Sequence, residues 1–201
     1  MTDHSILAIM AHPDDAEMWA GGTLAKHAQA GKAALLVASN DNVRIREAEE
    51  GAAILGVALH IRQELSAESC LNVIEAVQAD IVICHRLDDT HPDHRRVGEL
   101  VSAVMHKAVI KLQKRIRLYA CDTYESLTLN GHVPGNVIVN IEETFDSKMT
   151  ALGKHASQPL EHFSDMAQRQ ARVWGARIGV RWGEAFDTVP VLGVVPGVEH
   201  L

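Results

Sequence analysis

Short unbroken apolar runs alternate along this chain with longer stretches whose apolar residues recur at three- and four-residue intervals. Ser5-Ile6-Leu7-Ala8-Ile9-Met10 is the first short run, the pattern of a strand covered on both faces. Pro13, which has no N–H for a ladder, ends it. Residues from about Ala16 to Ala30 predict one helix running through Gly21-Gly22 and stopped by Gly31. A second strand is predicted over Ala33 to Ala38. A helix follows over Arg44 to Leu55, with Glu47, Glu49 and Glu50 facing out, Ala48, Ala52 and Leu55 facing in, and Gly56 closing it.

The rhythm continues with a strand at Val57 to Ile61, a helix at about Ala67 to Gln78 and a buried-type strand at Asp80 to Cys84. After the loop His85 to His91 comes a helix from about Pro92 to Leu112. Strand and helix in strict alternation imply an α/β fold, a Rossmann-like open, mostly parallel sheet with helices on both faces. Further strands are predicted at Arg117 to Cys121 and Asn136 to Ile141, and helices at about Glu142 to His155 and Leu160 to Gly179. The apolar tail, Val189 to Val198, is broken by Pro190 and Pro196 and is expected to pack along the domain edge or against another subunit. With 201 residues and no internal repeat or linker, the chain is expected to form a single domain spanning 1–201.

In open sheets of this kind ligands bind beyond the carboxyl ends of the strands. Two segments rich in histidine and aspartate fall there: His12-Pro13-Asp14-Asp15-Ala16-Glu17 and His91-Pro92-Asp93-His94. A catalytic zinc site needs three ligands from histidine nitrogen or carboxylate oxygen and an open fourth position. A neighbouring carboxylate or histidine can then take a proton from the activated water. Singly, each fragment has a plainer explanation, since Asp15 can cap a helix and His-Pro-Asp can form a turn. Two such turns, each after a separate buried strand, point instead to one metal site. Three rival chemistries are weighed against it. A nucleotide-binding domain would carry G-x-G-x-x-G at the first turn, and Gly21-Gly22 comes too late for that. A serine hydrolase would carry a G-x-S-x-G elbow, which is absent, and Cys84, beside His85, closes an apolar strand. A non-catalytic metal-binding protein would share the ligands but has no use for the spare carboxylate, Asp14 beside Asp15.

These segments resemble the PIG-L or LmbE-like de-N-acetylases. Ala11-His12-Pro13-Asp14-Asp15, an acidic residue at Glu17 and Gly21-Gly22 are similar to the family's first motif, and Asp88-Asp89-Thr90-His91-Pro92-Asp93-His94-Arg95 to its second. Arg44-Ile45-Arg46-Glu47 with Leu55-Gly56, then Lys148, His155-Ala156-Ser157-Gln158 and Glu184-Ala185-Phe186, are similar to its later landmarks. The resemblance implies that His12, Asp15 and His94 hold Zn2+, or another divalent metal. It further implies that Asp14 is the base acting on the activated water, that His91 stabilises the transition state and protonates the leaving amine, and that Asp93 orients an imidazole. Asp93 nearby would favour a charged His91. Arg44 is the implied substrate-binding residue, with Arg46 the alternative in this register. Glu17 is expected to support the motif loop, and His155 either to be structural or to contact substrate. The implied activity is removal of an N-acetyl or other N-acyl group from a small amino-sugar-containing molecule. The alternatives are a non-sugar or antibiotic biosynthetic intermediate as substrate, or no catalysis at all.

Composition narrows the partners. A net charge of −7 argues against general nucleic-acid affinity, and the modest run of Lys111, Lys114, Arg115 and Arg117 reads as a solvated surface. The start, Met1-Thr2-Asp3-His4, has no basic leader, and no apolar stretch approaches membrane-spanning length, so a soluble cytoplasmic protein is expected. Three cysteines without a C-x-x-C pair predict buried reduced thiols. With only three Trp and two Tyr, a small substrate fits better than a polysaccharide groove, and the apolar tail is compatible with homo-oligomerisation.

Overall fold

The structure, a computed structural model, describes residues 4–196. Five strands, β1 (Ile6–Met10), β2 (Ala33–Ala38), β3 (Ala58–Arg62), β4 (Ile81–Cys84) and β5 (Arg117–Cys121), pair in parallel. A two-stranded ribbon, β6 (Leu127–Thr128) and β7 (Gly131–His132), lies outside the main sheet. β8 (Val137–Asn140) and β9 (Gly183–Val189) extend the sheet as antiparallel neighbours, completing a seven-stranded order β3-β2-β1-β4-β5-β9-β8. The helices are α1 (Asp15–Trp19), α2 (Gly21–Ala28), α3 (Asn42–Leu55), α4 (Ala67–Ala76), α5 (Pro92–Leu112), α6 (Phe145–Leu152) and α7 (Leu160–Arg177). The open, mostly parallel α/β sheet is thus as the hydrophobic pattern predicts.

β1 shows why that pattern is unbroken. Its Ile6, Ala8 and Met10 enter the core cluster shared with α1, α2, α6 and α7, while Leu7 and Ile9 enter the cluster shared with α4 and α5. Apolar side chains therefore face helices on both sides. The strand order reverses between β1 and β4, and Ile9, one residue before the end of β1, is the register partner of Cys84, the last residue of β4. His12 and His85 follow these adjacent ends, so the site forms where ligands bind in open α/β sheets.

Two local features place the site residues. Asp41 caps α3, its Oδ1 accepting from Val43 N at 2.7 Å and Arg44 N at 3.4 Å, which puts Arg44 in the first turn. Gly56 ends that helix with φ 72°, a left-handed conformation suited to glycine. At α5, His91 is the N-cap and Pro92 the first helical residue, so His91 and His94 lie close together across one turn.

The one helix expected from Ala16 to Ala30 is in fact two, broken at Ala20 (φ −140°, ψ 2°). The N–H groups freed at the break, those of Gly22 and Thr23, donate to Glu184 at 2.9 and 2.8 Å. α6 is also shorter than the stretch expected from Glu142 to His155, and α7 ends before Gly179. The 190–196 segment leaves β9 and turns back through a bridge between Val191 and Val194, and Val189 and Val191 pack on the second core cluster. Gly197 and Val198 of the expected tail, and Met1, Thr2 and Asp3 of the N-terminus, lie outside the described residues. Cys70, Cys84 and Cys121 are buried and unbridged. Among the described residues no helix is long and apolar enough to cross a membrane.

Candidate active site

Asp15 is the hub. It is 1% exposed, with Oδ2 3.4 Å from His12 Nδ1 and Oδ1 3.4 Å from His94 Nε2. Its Oδ2 also accepts from His12 N at 2.8 Å, which fixes the carboxylate within its own loop. The rings of His12 and His94 stand 5.5 Å apart, centre to centre, and His91 joins them at 5.1 Å from His12 and 4.5 Å from His94. Two overlapping groups offer ligand atoms within 4.8 Å of one another: His12, His91 and His94, and Asp15, His85 and His94. The two distant His-Pro-Asp turns therefore do converge.

The donor set suits a divalent ion. Each Asp15 oxygen stands 3.4 Å from one imidazole nitrogen, Oδ2 from His12 and Oδ1 from His94, about the spacing of two atoms bound to one tetrahedral ion at about 2.0–2.1 Å. The expected trio His12, Asp15 and His94 is split between the two close groups, with Asp15 in one and His12 in the other. His94 Nδ1 faces Asp89 Oδ2 at 3.2 Å, while its Nε2 is buried and makes no hydrogen bond. A carboxylate behind one ring nitrogen leaves the other with its lone pair aimed at an ion. Burial alone lowers the pKa of His94, but Asp15 and Asp89 outweigh it and push the imidazole up to about 9. Burial alone raises Asp15, yet His85 and His94 hold it well below the usual carboxylate range.

Asp14, beside this hub and also buried, differs in backbone conformation, partner and charge balance. It has φ 106°, a left-handed conformation costing a non-glycine residue on the order of 1–3 kcal/mol. As the α1 N-cap it makes no capping hydrogen bond with its side chain. Its Oδ2 instead accepts from Arg44 Nη2 at 3.1 Å, and the same nitrogen donates to Pro13 O. Burial and the neighbouring Asp15 push Asp14 up to about 7, against the opposing pull of Arg44. Two adjacent carboxylates thus sit on opposite sides of their ordinary range, as groups with different tasks require. Arg44 is the arginine that reaches the motif; Arg46 is exposed.

His91 departs from expectation. Its Nδ1 accepts from Asp93 N at 3.2 Å, which places the ring proton on Nε2. Burial, followed by the positive fields of His94 and His12, lowers its pKa below the ordinary histidine value. A neutral N–H donor replaces the charged imidazole expected. The Asp93 carboxylate meets a different ring, with Oδ2 3.3 Å from His12 Nε2. His155 is fully buried, its Nε2 3.4 Å from Glu17 Oε1, and does not line the cleft beside the hub.

Sequence reasoning missed His85, Asp89 and Tyr124. His85 stacks on His94 with ring centres 3.9 Å apart, and its Nε2 lies 3.1 Å from Asp15 Oδ2 and 3.0 Å from the donating Ala11 N. Tyr124 lies parallel to His94 at 5.7 Å, and Trp19 stands edge-on to it at 5.4 Å. The available signal was position: His85 follows the last residue of β4 directly, and Tyr124 comes shortly after β5.

A cleft of about 430 Å³ opens beside the hub, lined by His12, Asn40, Arg44, Gln63, Asp93 and Arg96 among others. That volume suits a small molecule. A larger cavity of about 630 Å³ lies at the other end of the sheet, against Ile116 and Val191, and contains none of the site residues.

Residues 7–105 match the family model described as PIG-L: GlcNAc-PI de-N-acetylase. Several solved structures share the fold. The conserved protein TT1542 from Thermus thermophilus is 23% identical, with TM-score 0.76 over 95% of this chain and 97% of that one. The N,N'-diacetylchitobiose deacetylase from Pyrococcus horikoshii is 24% identical, with TM-score 0.72 over 93% and 84%. The 4-carboxy-2-hydroxymuconate hydratase GalB from Pseudomonas putida is 20% identical, with TM-score 0.75 over 94% and 97%.

Proposed function

Because this chain belongs to the PIG-L family, we propose that it hydrolyses the amide of a small N-acetylated, or otherwise N-acylated, amino-sugar-containing substrate. The observation that carries this reading is the division of labour between neighbours: Asp15 lies 3.4 Å from His12 through one oxygen and 3.4 Å from His94 through the other, while Asp14 is bound by Arg44 and pushed up to about 7. His12, Asp15 and His94 would hold a divalent ion, zinc first. When bound, such an ion supplies Lewis acidity toward water and the amide carbonyl.

This chain's own groups do the rest. Asp14 takes the proton from water as the oxygen attacks the carbonyl carbon, a transfer favoured by a base whose pKa lies near neutrality. Arg44, which lines the cleft, donates to the Asp14 carboxylate and borders the substrate. His91, its proton kept on Nε2 by the Asp93 N–H, donates to the carbonyl oxygen as charge develops there. The C–N bond then breaks, and the leaving nitrogen takes the proton that Asp14 accepted from water, which returns Asp14 to its ionised form. Asp93 orients the His12 ring, and Asp89 the His94 ring. Asn40 and Gln63 offer amide groups for sugar hydroxyls along the cleft wall.

The test is amine release from a panel of N-acylated amino sugars, N-acetylglucosamine first, with and without a chelator. Chelator-sensitive release of equimolar amine and acid is expected. GalB shares the fold but is a hydratase, and hydration of an unsaturated acid releases no amine. Chelator-sensitive hydration, or metal binding with no turnover of sugar and non-sugar amides alike, would overturn the reading.

A second expected result concerns the ion. His94, raised to about 9, gives the metal-free fold stability that is fully present below pH 6.5 and lost as pH rises through 9. The loss is on the order of 3 kcal/mol, or roughly 6–12 °C in Tm. Zinc needs the unprotonated nitrogen, so it should release a proton on binding near pH 7 and raise Tm most at the alkaline end. Calorimetry in buffers of different ionisation enthalpy, with melting curves from pH 6 to 9, reads both.

A further inference from the structure

The proposed base is steadied through α3, and the residues that steady α3 come from a distant segment after α6. Arg44, Glu47 and Gly51 recur at i, i+3 and i+7, so they lie along one face of α3 over successive turns. Each meets a different part of the molecule. Arg44 reaches Asp14 at 3.1 Å. Glu47 accepts two hydrogen bonds from one residue, Ser157 N to Oε1 at 2.7 Å and Ser157 Oγ to Oε2 at 2.6 Å. At Gly51 a Cβ would stand 2.6 Å from Glu17 Oε1 and 3.3 Å from His155 Nε2, so α3 lies directly against that buried pair. Glu17 belongs to α1, the short helix that begins at Asp15.

We propose that Ser157, Glu47, His155 and Glu17 are positioning residues that clamp α3 against α1 and thereby fix the approach of Arg44 to Asp14. The inference rests on Asp14 being the base. Two arguments support it. Asp14 holds a backbone conformation that persists only where its surroundings over-determine it, yet its side chain makes no cap of its own. The restraint must come from neighbours, and Arg44 binds both Asp14 and the Pro13 carbonyl. Arg44 in turn sits in a first helical turn, the part of a helix freest to fray. Glu47 lies within the next turn and ties it to a segment packed beside α1.

The test is a double-mutant cycle between Glu47→Ala and Arg44→Met, read on N-acetylglucosamine or the panel member that turns over. Glu47→Ala is expected to lower kcat about tenfold with KM changed less than twofold. In the Arg44→Met background the same substitution should change kcat less than twofold, because nothing remains for it to position. Glu47→Gln, which keeps an acceptor for Ser157, should recover most of the loss. Hydrogen exchange needs no substrate: amides 43–46 should exchange about tenfold faster in Glu47→Ala, and not in Glu47→Gln. An equal loss in both backgrounds, a loss confined to KM, or unchanged exchange overturns the clamp. Asp14→Asn with normal turnover overturns the base assignment instead, so the two failures are distinguishable.

Discussion

Asp14→Asn is expected to keep its metal and lose turnover by on the order of a thousandfold. Asparagine preserves the shape and the hydrogen bond from Arg44 to the side-chain oxygen, but it cannot accept a proton from water. Asp15→Asn is the contrasting variant. It removes the charge that lies against both His12 and His94, so metal content should fall along with activity. The pH dependence adds a check. Asp14 acts as a base only when ionised, so turnover should fall as pH drops through its pKa. Burial and Asp15 set that value at about 7, and a bound cation nearby moves it down, so the acid limb lies at or below pH 7. Stability separates lost chemistry from lost fold. A carboxyl raised from 3.8 to about 7 stabilises the folded state at low pH and loses that contribution as pH rises through 7. Above pH 8 the ionised, buried Asp14 is a liability, and Asp14→Asn should melt no lower than the parent. An Asp14→Asn enzyme with near-normal kcat, its metal measured, would remove Asp14 from the mechanism; one that melts ten degrees lower would show a structural role instead.

What the sequence revealed and what it hid divide along a physical line. β1, β5 and α5 were legible because their signals are local: unbroken apolar runs for strands covered on both faces, and Pro92 at the start of a helix. The convergence of His12 with His94 followed from strand order, since both turns sit at one end of a parallel sheet. What failed depended on partners distant in sequence. The break at Ala20 is stabilised by Glu184, 162 positions beyond Gly22. β9 went unread because its Glu184 and Asp187 are buried charges in a strand, each satisfied from elsewhere. Asp187 accepts from Arg86 Nη1 and from Asn136 N. Arg44, expected ahead of Arg46, does reach the motif, its helical phase set by the Asp41 cap. Asp93 was expected to serve an imidazole, but spacing could not say which. Its own N–H is engaged by His91 while its carboxylate reaches His12.

Glu184 and Lys148 were visible as motif landmarks, and the structure shows them as a buried ion pair holding the helices behind the site. Lys148 Nζ lies 2.7 Å from Glu184 Oε1 and donates to Met18 O at 2.6 Å, tying α6 to the end of α1. Glu184 also accepts from Gly22 N, Thr23 N and Thr23 Oγ1, so a carboxylate from β9 caps α2, whose own N-cap, Ala20, has no side-chain acceptor. Both charges in this closed cluster are paired and further hydrogen-bonded, which is the condition under which removing one member is most damaging. Lys148→Met is therefore expected to cost about 3–5 kcal/mol, a large share of a typical folding free energy of about 5–15 kcal/mol, and to lower Tm by roughly 10 °C. Arg96→Ala is the control. Arg96 Nη2 lies 2.6 Å from Glu64 Oε1, as close as the buried pair, but its side chain is 69% exposed. Water and salt screen such a pair, so its loss should fall within about 1 kcal/mol. Urea unfolding of both variants, compared at equal m-value, measures the difference. If Lys148→Met were as mild as Arg96→Ala, the cap on α2 would owe little to the lysine, and the backbone donors of Gly22 and Thr23 would suffice to hold Glu184 in the interior.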